Sequence, residues 1–214
     1  MKKLFTLVLL FTVFQNFSQE TLKPSDSLKP ATSDTENTAE RTFSLRPVSR
    51  IYFIFPQQFG DHALADAHDT SWGFGTSMSF IRYADIRFSI GLEFSQYSVS
   101  DASKVGNFNF SNNKALHFAL SYDLKVNNTI QIAPYVAYGL SQTIQRARSE
   151  RHATYDGELF RLGAIADYSL HRHMGIFVGI HYINTTFDID TNPSQLDYFA
   201  KSQQLQLTLG LKFH

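Results

Sequence analysis

The sequence contains no cysteine. That excludes a disulfide framework, thiolate metal sites, a thiol nucleophile and a lipid-modified N-terminal cysteine. It has no excess of either charge, since Lys plus Arg and Asp plus Glu number 19 each. No global field therefore draws it to nucleic acid. Beyond the N-terminal segment there is no apolar run long enough for a membrane helix and no sustained helical period. No motif for a cofactor is present, and no cofactor is expected. What the chain does have is aromatic weight, with 20 Phe and 10 Tyr in 214 residues. That length is enough for one domain with a sizeable core.

The first segment has the pattern of a secretory leader. Lys2 and Lys3 precede the apolar "LFTLVLLFTVF", which is too short to span a bilayer as a helix. A signal peptide is expected over 1–18. The stretch 19–42, "QETLKPSDSLKPATSDTENTAERT", is rich in Ser, Thr, Pro and charge and offers almost nothing to bury. It is expected to be a disordered linker on the periplasmic side. Within it, "DSL" at Asp26–Leu28 reads either as plain solvated linker or as a short O-glycosylation site on Ser27. The remaining residues, 43–214, form the domain.

Period-two alternation dominates this domain. "WGFGTSMSF" sets Trp72, Phe74, Met78 and Phe80 against Gly73, Gly75, Ser77 and Ser79. "DIRFSIGLEF" sets Ile86, Phe88, Ile90, Leu92 and Phe94 against Arg87, Ser89, Gly91 and Glu93. The same pattern recurs in "ALHFALSYDL", "IQIAPYVAYGL", "LFRLGAIADYSL", "GIFVGIHY" and "LQLTLGLKF", and "RIYFIF" is a further strand at the start. Eight strands are expected. One face is large and apolar; the other is Gly, Ala and Ser with sparse charge. Water would select the reverse balance, with Lys, Glu and Thr on the polar side. Small residues and a few charges suit the inside of a narrow barrel, and a continuous apolar outer face suits lipid.

The connections alternate in length. Long ones are expected at 57–71, 98–113, 146–155 and 190–202. Short ones are "YAD" (83–85), "NNT" (127–129) and "HRH" (171–173). Short periplasmic turns and long outer loops are the habit of outer-membrane barrels, which places both termini of the mature chain on the periplasmic side. The apolar positions stay even-numbered from Trp72 to Tyr182, so three-residue turns are expected. These would set Arg82 opposite Ile86, Val126 opposite Ile130 and Leu170 opposite Met174.

On these strands and connections the domain resembles the small eight-stranded outer membrane β-barrel domains of Bacteroidota. It is similar in architecture to the OmpA transmembrane domain and to the PorT-type barrels. The expected fold is all-β, an antiparallel up-and-down transmembrane barrel. The closing strand, with Leu207, Leu209, Leu211 and Phe213 at every second position, resembles the signal read by the barrel-assembly machinery, although His214 follows the aromatic. The resemblance implies outer membrane localisation, contact with membrane lipid and lipopolysaccharide, and a place in the cell envelope, with no catalytic signature.

An eight-stranded barrel has room inside for side chains but not for a solute channel, and charges buried there must pair. The expected lumen network is Arg50, Arg87, Glu93, His117, Asp123, Arg161, Asp167 and Lys212, with Lys125 and His181 also facing inward. One register is expected: Arg87 opposite Asp123, Ser89 opposite Ser121, Gly91 opposite Ala119 and Glu93 opposite His117. His117, Ser121 and Asp123 share a strand face. Four residues of strand separate His117 from Ser121, about 13 Å, too far for a nucleophile and its base.

No metal site is expected. In the first long loop, His62, Asp66 and His68 are the residues a divalent metal would use, but their spacing matches no established motif. The third carries Arg146, Arg148, Arg151 and His152, either a solvated face or a contact for lipopolysaccharide phosphates. Phe108 and Phe110 in the second are candidate aromatic anchors. The expected role is structural or interactive, through a partner met by the loops. A lipid-modifying hydrolase and a narrow pore are the alternatives.

Overall fold

A computed structural model describes residues 43–45, 47–105, 108–147 and 150–214. The expected leader (1–18) and linker (19–42) lie outside the described residues. Strand follows strand in antiparallel order: β1 (Phe43–Ser44), β2 (Val48–Gln58), β3 (His68–Tyr83), β4 (Ile86–Val99), β5 (Phe110–Tyr122), β6 (Leu124–Lys125), β7 (Ile130–Ala147), β8 (Glu150–His171), β9 (Met174–Asp188) and β10 (Lys201–Phe213). β1 is a two-residue stub on β3, and β6 continues β5 beyond a break at Asp123. Each of the eight main strands pairs with its neighbour in sequence, and β10 returns to pair with β2. The sheet is thereby a closed eight-stranded barrel with no free edge.

The alternation in sequence becomes the two sides of the wall. On β2 the odd positions Ile51 and Phe53 are exposed (60 % and 64 %), while Tyr52 and Ile54 are buried (6 % and 0 %). On β10 Leu205, Leu207, Leu209 and Leu211 face out, and Gln206, Thr208 and Lys212 face in. Phe74, Leu92, Phe118, Leu140, Leu162 and Ile180 extend the exposed apolar surface around the barrel. So wide an apolar exterior would be a liability in water. The interior packs around two small clusters, Tyr52–Ile54–Phe177 and Ala119–Tyr135–Ala137, both against Ile165.

The strands run further than the alternation suggests. β7 and β8 have 18 and 22 residues, against roughly 9–11 for a tilted strand crossing a bilayer. The long connection expected over 146–155 is therefore mostly strand. Thr143 pairs with Tyr155 and Ile144 with Thr154 beyond the apolar band, where β-branched and aromatic residues sustain pairing. The other three long connections are shorter than expected. Each holds a helix of one turn or little more: α1 (Ala63–Ala67), α2 (Ala102–Val105) and α3 (Leu196–Ala200).

The short turns correct the parity argument in two places. Val126 N–H donates to the Ile130 carbonyl at 3.1 Å, as a three-residue turn requires. The Asn127 side chain accepts from Thr129 N and Ile130 N at 2.8 and 2.7 Å, closing the turn on itself. In "YAD", however, Tyr83 rather than Arg82 opposes Ile86, and in "HRH" His171 rather than Leu170 opposes Met174. Both are two-residue turns. A bulge between Ser79 and Ile81, and another between Ser169 and His171, each takes up the odd residue and restores the facing.

Ala84, in the first of these turns, has φ +52°, the left-handed region where a Cβ is penalised. Ala84→Gly is expected to raise stability by about 0.5–1 kcal/mol, read as a higher urea midpoint with an unchanged slope for the refolded barrel.

Candidate functional site

The lumen is where the chain concentrates its buried polar chemistry. Arg50 (β2), Arg87 and Glu93 (β4), His117 (β5), Asp123, Arg161 and Asp167 (β8), His181 (β9) and Lys212 (β10) are all buried. Lys125 is not; it lies past the Asp123 break, at the exposed rim.

Three ionic groups divide the interior. Nearest the short turns, the Arg50 and Lys212 cations both donate to Asp167 Oδ2, at 3.0 and 2.9 Å. These two cations are direct partners across β2 and β10. Like charges opposite one another repel, and the carboxylate reaching in from β8 is what makes the pairing tenable. Arg87 donates to Asp123 at 2.5 Å. Midway along the barrel, both terminal nitrogens of the Arg161 guanidinium donate to Glu93, Nη1 at 2.6 Å and Nη2 to the second oxygen. Tyr52 O–H adds a bond to Glu93 at 2.8 Å, and Gln206 a longer one at 3.4 Å. β4 and β8 stand on different sides of the ring of strands, so this fork is a crossbar through the lumen.

The ladder between β4 and β5 differs from the expected register by two residues. Arg87 opposes Ser121, Ser89 opposes Ala119, Gly91 opposes His117 and Glu93 opposes Ala115. Arg87 still reaches Asp123, but diagonally. Glu93 faces no histidine and crosses to Arg161 instead. The cause is room. A Cβ on Gly91 would lie 2.4 Å from His117 Nε2, and one on Gly75 would lie 2.5 Å from the Tyr52 ring. The glycines are recesses that receive the large side chains of the adjoining strands.

Several members of the site were absent from the expected network. Tyr52, Gln206, Tyr135 and Thr208 all belong to it. Tyr135 O–H bonds His181 Nδ1, and His181 Nε2 pairs with Thr208 Oγ1 at 2.9 Å. Their signal was present, since each lies on the inward parity of its strand, but polar residues without formal charge gave no reason to single them out. Ser121 and His117 line one lumen cavity with Glu93, while Asp123 belongs to Arg87; the three do not form a relay.

At the end away from the short turns, polar side chains close the barrel. Tyr97 O–H and Gln58 Nε2 both donate to Gln204 Oε1 at 2.9 Å. His68 bonds Ser111 at 2.7 Å, and Asn113 donates to Ser141 and Thr143 at 3.0 and 3.1 Å. Above them a pocket of about 250 Å³ is bounded by Leu64, Gln145, Tyr155, Phe187 and Phe199.

The candidate metal ligands are committed elsewhere. His62 caps α1 by accepting from Ala65 N through Nδ1 at 3.1 Å, which leaves Nε2 as the protonated nitrogen, donating to the Phe59 carbonyl at 2.9 Å. Asp66 joins the three loop helices, accepting from Lys104 at 3.2 Å and Tyr198 O–H at 3.1 Å. Among the described residues no three His, Cys, Asp or Glu side chains converge as metal ligands would. Of the basic loop residues, Arg146 is the penultimate residue of β7, Arg148 lies outside the described residues, and Arg151 and His152 are described in backbone only. Phe110 begins β5.

A closed antiparallel barrel with an apolar exterior and a charge-paired interior defines the class: an eight-stranded barrel of the membrane-spanning kind. The sequence agrees. The family described as outer membrane protein beta-barrel domain matches residues 49–213, and the chain belongs to it. Among solved structures, neisserial surface protein A resembles it with a TM-score of 0.56 at 11 % identity, covering 78 % of this chain and 96 % of that one. OprG from Pseudomonas aeruginosa gives a TM-score of 0.46 at 13 % identity, covering 78 % and 94 %. Ail from Yersinia pestis gives 0.45 at 11 %, covering 79 % and 100 %. At such identities the likeness is one of fold. No curated protein matches the chain.

Two outcomes are expected. Arg161→Met alone should cost about 3–5 kcal/mol, because it strands a buried carboxylate. Combining it with Glu93→Gln should recover most of that loss; urea unfolding of the native protein and the two variants in lipid measures both. Separately, Lys104 and Tyr198 hold the Asp66 carboxyl below its usual range. A carboxyl so lowered stabilises the tie between the loop helices at neutral pH and withdraws that contribution as pH falls through the carboxylate range. Proteolysis of 59–67, 100–109 and 189–200 should accelerate on acidification in the native protein and be fast at neutral pH in Asp66→Asn.

Proposed function

We propose that this protein is a non-conducting barrel of the outer membrane whose work is done at its loop end, in a structural or surface-interaction role. The observation that carries this reading is the Glu93–Arg161 crossbar, with the Arg50–Asp167–Lys212 and Arg87–Asp123 groups below it. Together they fill a bore that eight strands leave barely wide enough for side chains. The residual lumen cavity is about 40 Å³, a space on the scale of one or a few waters, and a hydrated solute does not pass it. Chemistry is not its role: the buried carboxylates are committed to arginine and lysine.

In this reading the short turns and both termini face the periplasm. The loops with α1, α2 and α3 face outward, toward lipopolysaccharide and an envelope or extracellular protein partner. Membrane lipid covers the apolar wall, and the barrel-assembly machinery reads the Leu207–Phe213 strand. The long β7–β8 hairpin supports a contact role, since its paired strands run past the bilayer band.

In planar bilayers the protein is expected to give no discrete conductance steps, and the double variant Glu93→Ala with Arg161→Ala to give small ones. Steps from the native protein equal to those of the variant would favour the pore instead.

A further inference from the structure

The lumen charges do not sum to zero. Four buried basic side chains (Arg50, Arg87, Arg161, Lys212) face three buried acids (Glu93, Asp123, Asp167) among the described residues. The surplus has an address. Arg87 has Asp123 and Arg161 has Glu93, whereas Arg50 and Lys212 share the one carboxylate of Asp167. Among the other charged side chains near this end, Arg82 pairs with Asp85 at 3.1 Å and comes within 3.9 Å of Asp123, and Lys125 and His214 are exposed. A buried cation without its counter-charge is strongly destabilising.

Next to this surplus lies the lumen cavity of about 40 Å³. Arg50, Arg161 and His117 line it, with the hydroxyls of Ser77, Ser89 and Ser121. Arg50 Nε, Arg161 Nε and His117 Nδ1 are buried without any protein partner. Buried polar atoms are rarely left so. The carboxylate in the wall, Glu93, is engaged by Arg161, Tyr52 and Gln206. Asp123 Oδ1, an acceptor that also lacks a partner, is not part of this lining. Positive charge, hydroxyls and buried nitrogens without a protein partner therefore belong to the residues around one small space, and the volume admits a monatomic ion with a water but no phosphate or carboxylate ligand.

We propose that the lumen holds a resident small monovalent anion of the halide class, bound between Arg50, His117 and the Ser77, Ser89 and Ser121 hydroxyls, which balances the buried surplus. The ion enters as the barrel closes and is structural, not in transit. The inference rests on the sealed lumen proposed above, but the two fail separately: conductance reports the seal and halide dependence reports the site.

The test uses the full mature chain folded in lipid. Its thermal midpoint is measured in sodium chloride and in sodium gluconate at one ionic strength, and crystals grown in bromide are examined at the bromine absorption edge. A midpoint that rises saturably with chloride, together with an anomalous peak beside Arg50, is expected. Lys212→Met, which removes the surplus, should lose the chloride dependence while still folding. Equal midpoints in the two salts would overturn the proposal. So would an undiminished chloride effect in Lys212→Met, or bromide found only on the surface. Should Lys212→Met not fold, the bromide peak in the native barrel decides alone.

Discussion

Everything in this barrel depends on the ladder that joins β10 back to β2. Ten successive residue pairs, from Gln204 with Gln58 to Phe213 with Ser49, make that seam. In hydrocarbon an unpaired backbone amide or carbonyl costs several kcal/mol, so a sheet can cross only if it has no edge. Once the seam is closed, the period of two does the rest. Each strand must offer one row of side chains to lipid and one to the bore, and no residue on the wall escapes that choice.

Closure creates the second constraint, a bore eight strands wide that must be filled. Aliphatic packing covers little of it, since the interior clusters are Tyr52, Ile54 and Phe177 on one side and Ala119, Tyr135 and Ala137 on the other. Most of the interior is instead ionic and hydrogen-bonded, set into recesses left by glycines such as Gly75 and Gly91. A network of this kind is sensitive to any missing member, because a half-satisfied buried charge is worse than none. This ties the shape of the protein to its charge balance, and it is why one cation beyond the acids in the lumen is a chemical statement.

How much of this could be read in the sequence differs by level. The outward and inward faces were legible, because Ile51, Phe74, Leu92 and Leu209 alternate with residues that tolerate confinement. So were the buried charges, except that Lys125, on the same alternation, stands exposed at the rim. The Arg87–Asp123 pair was legible as well, although the two meet on a diagonal and not directly opposite. The partner of Glu93 was not, because Arg161 comes from a strand three places away around the ring, which neighbour-by-neighbour register does not carry. The two-residue turns were hidden for a related reason: the bulges at Ser79–Ile81 and Ser169–His171 cancel the parity change that would have revealed them. Helices of four or five residues, such as α1 and α2, are too short to display a period of 3.6.

Above all, the outward row of the barrel must meet lipid. Because the native chain has no cysteine, single cysteines at Leu92, Leu140 and Leu209 can carry nitroxide labels without background. In bilayers these labels should collide freely with dissolved oxygen and be shielded from a water-soluble nickel complex, as positions in hydrocarbon are. Free access of the nickel complex to all three sites, with oxygen collision no greater than for a label in solution, would contradict it.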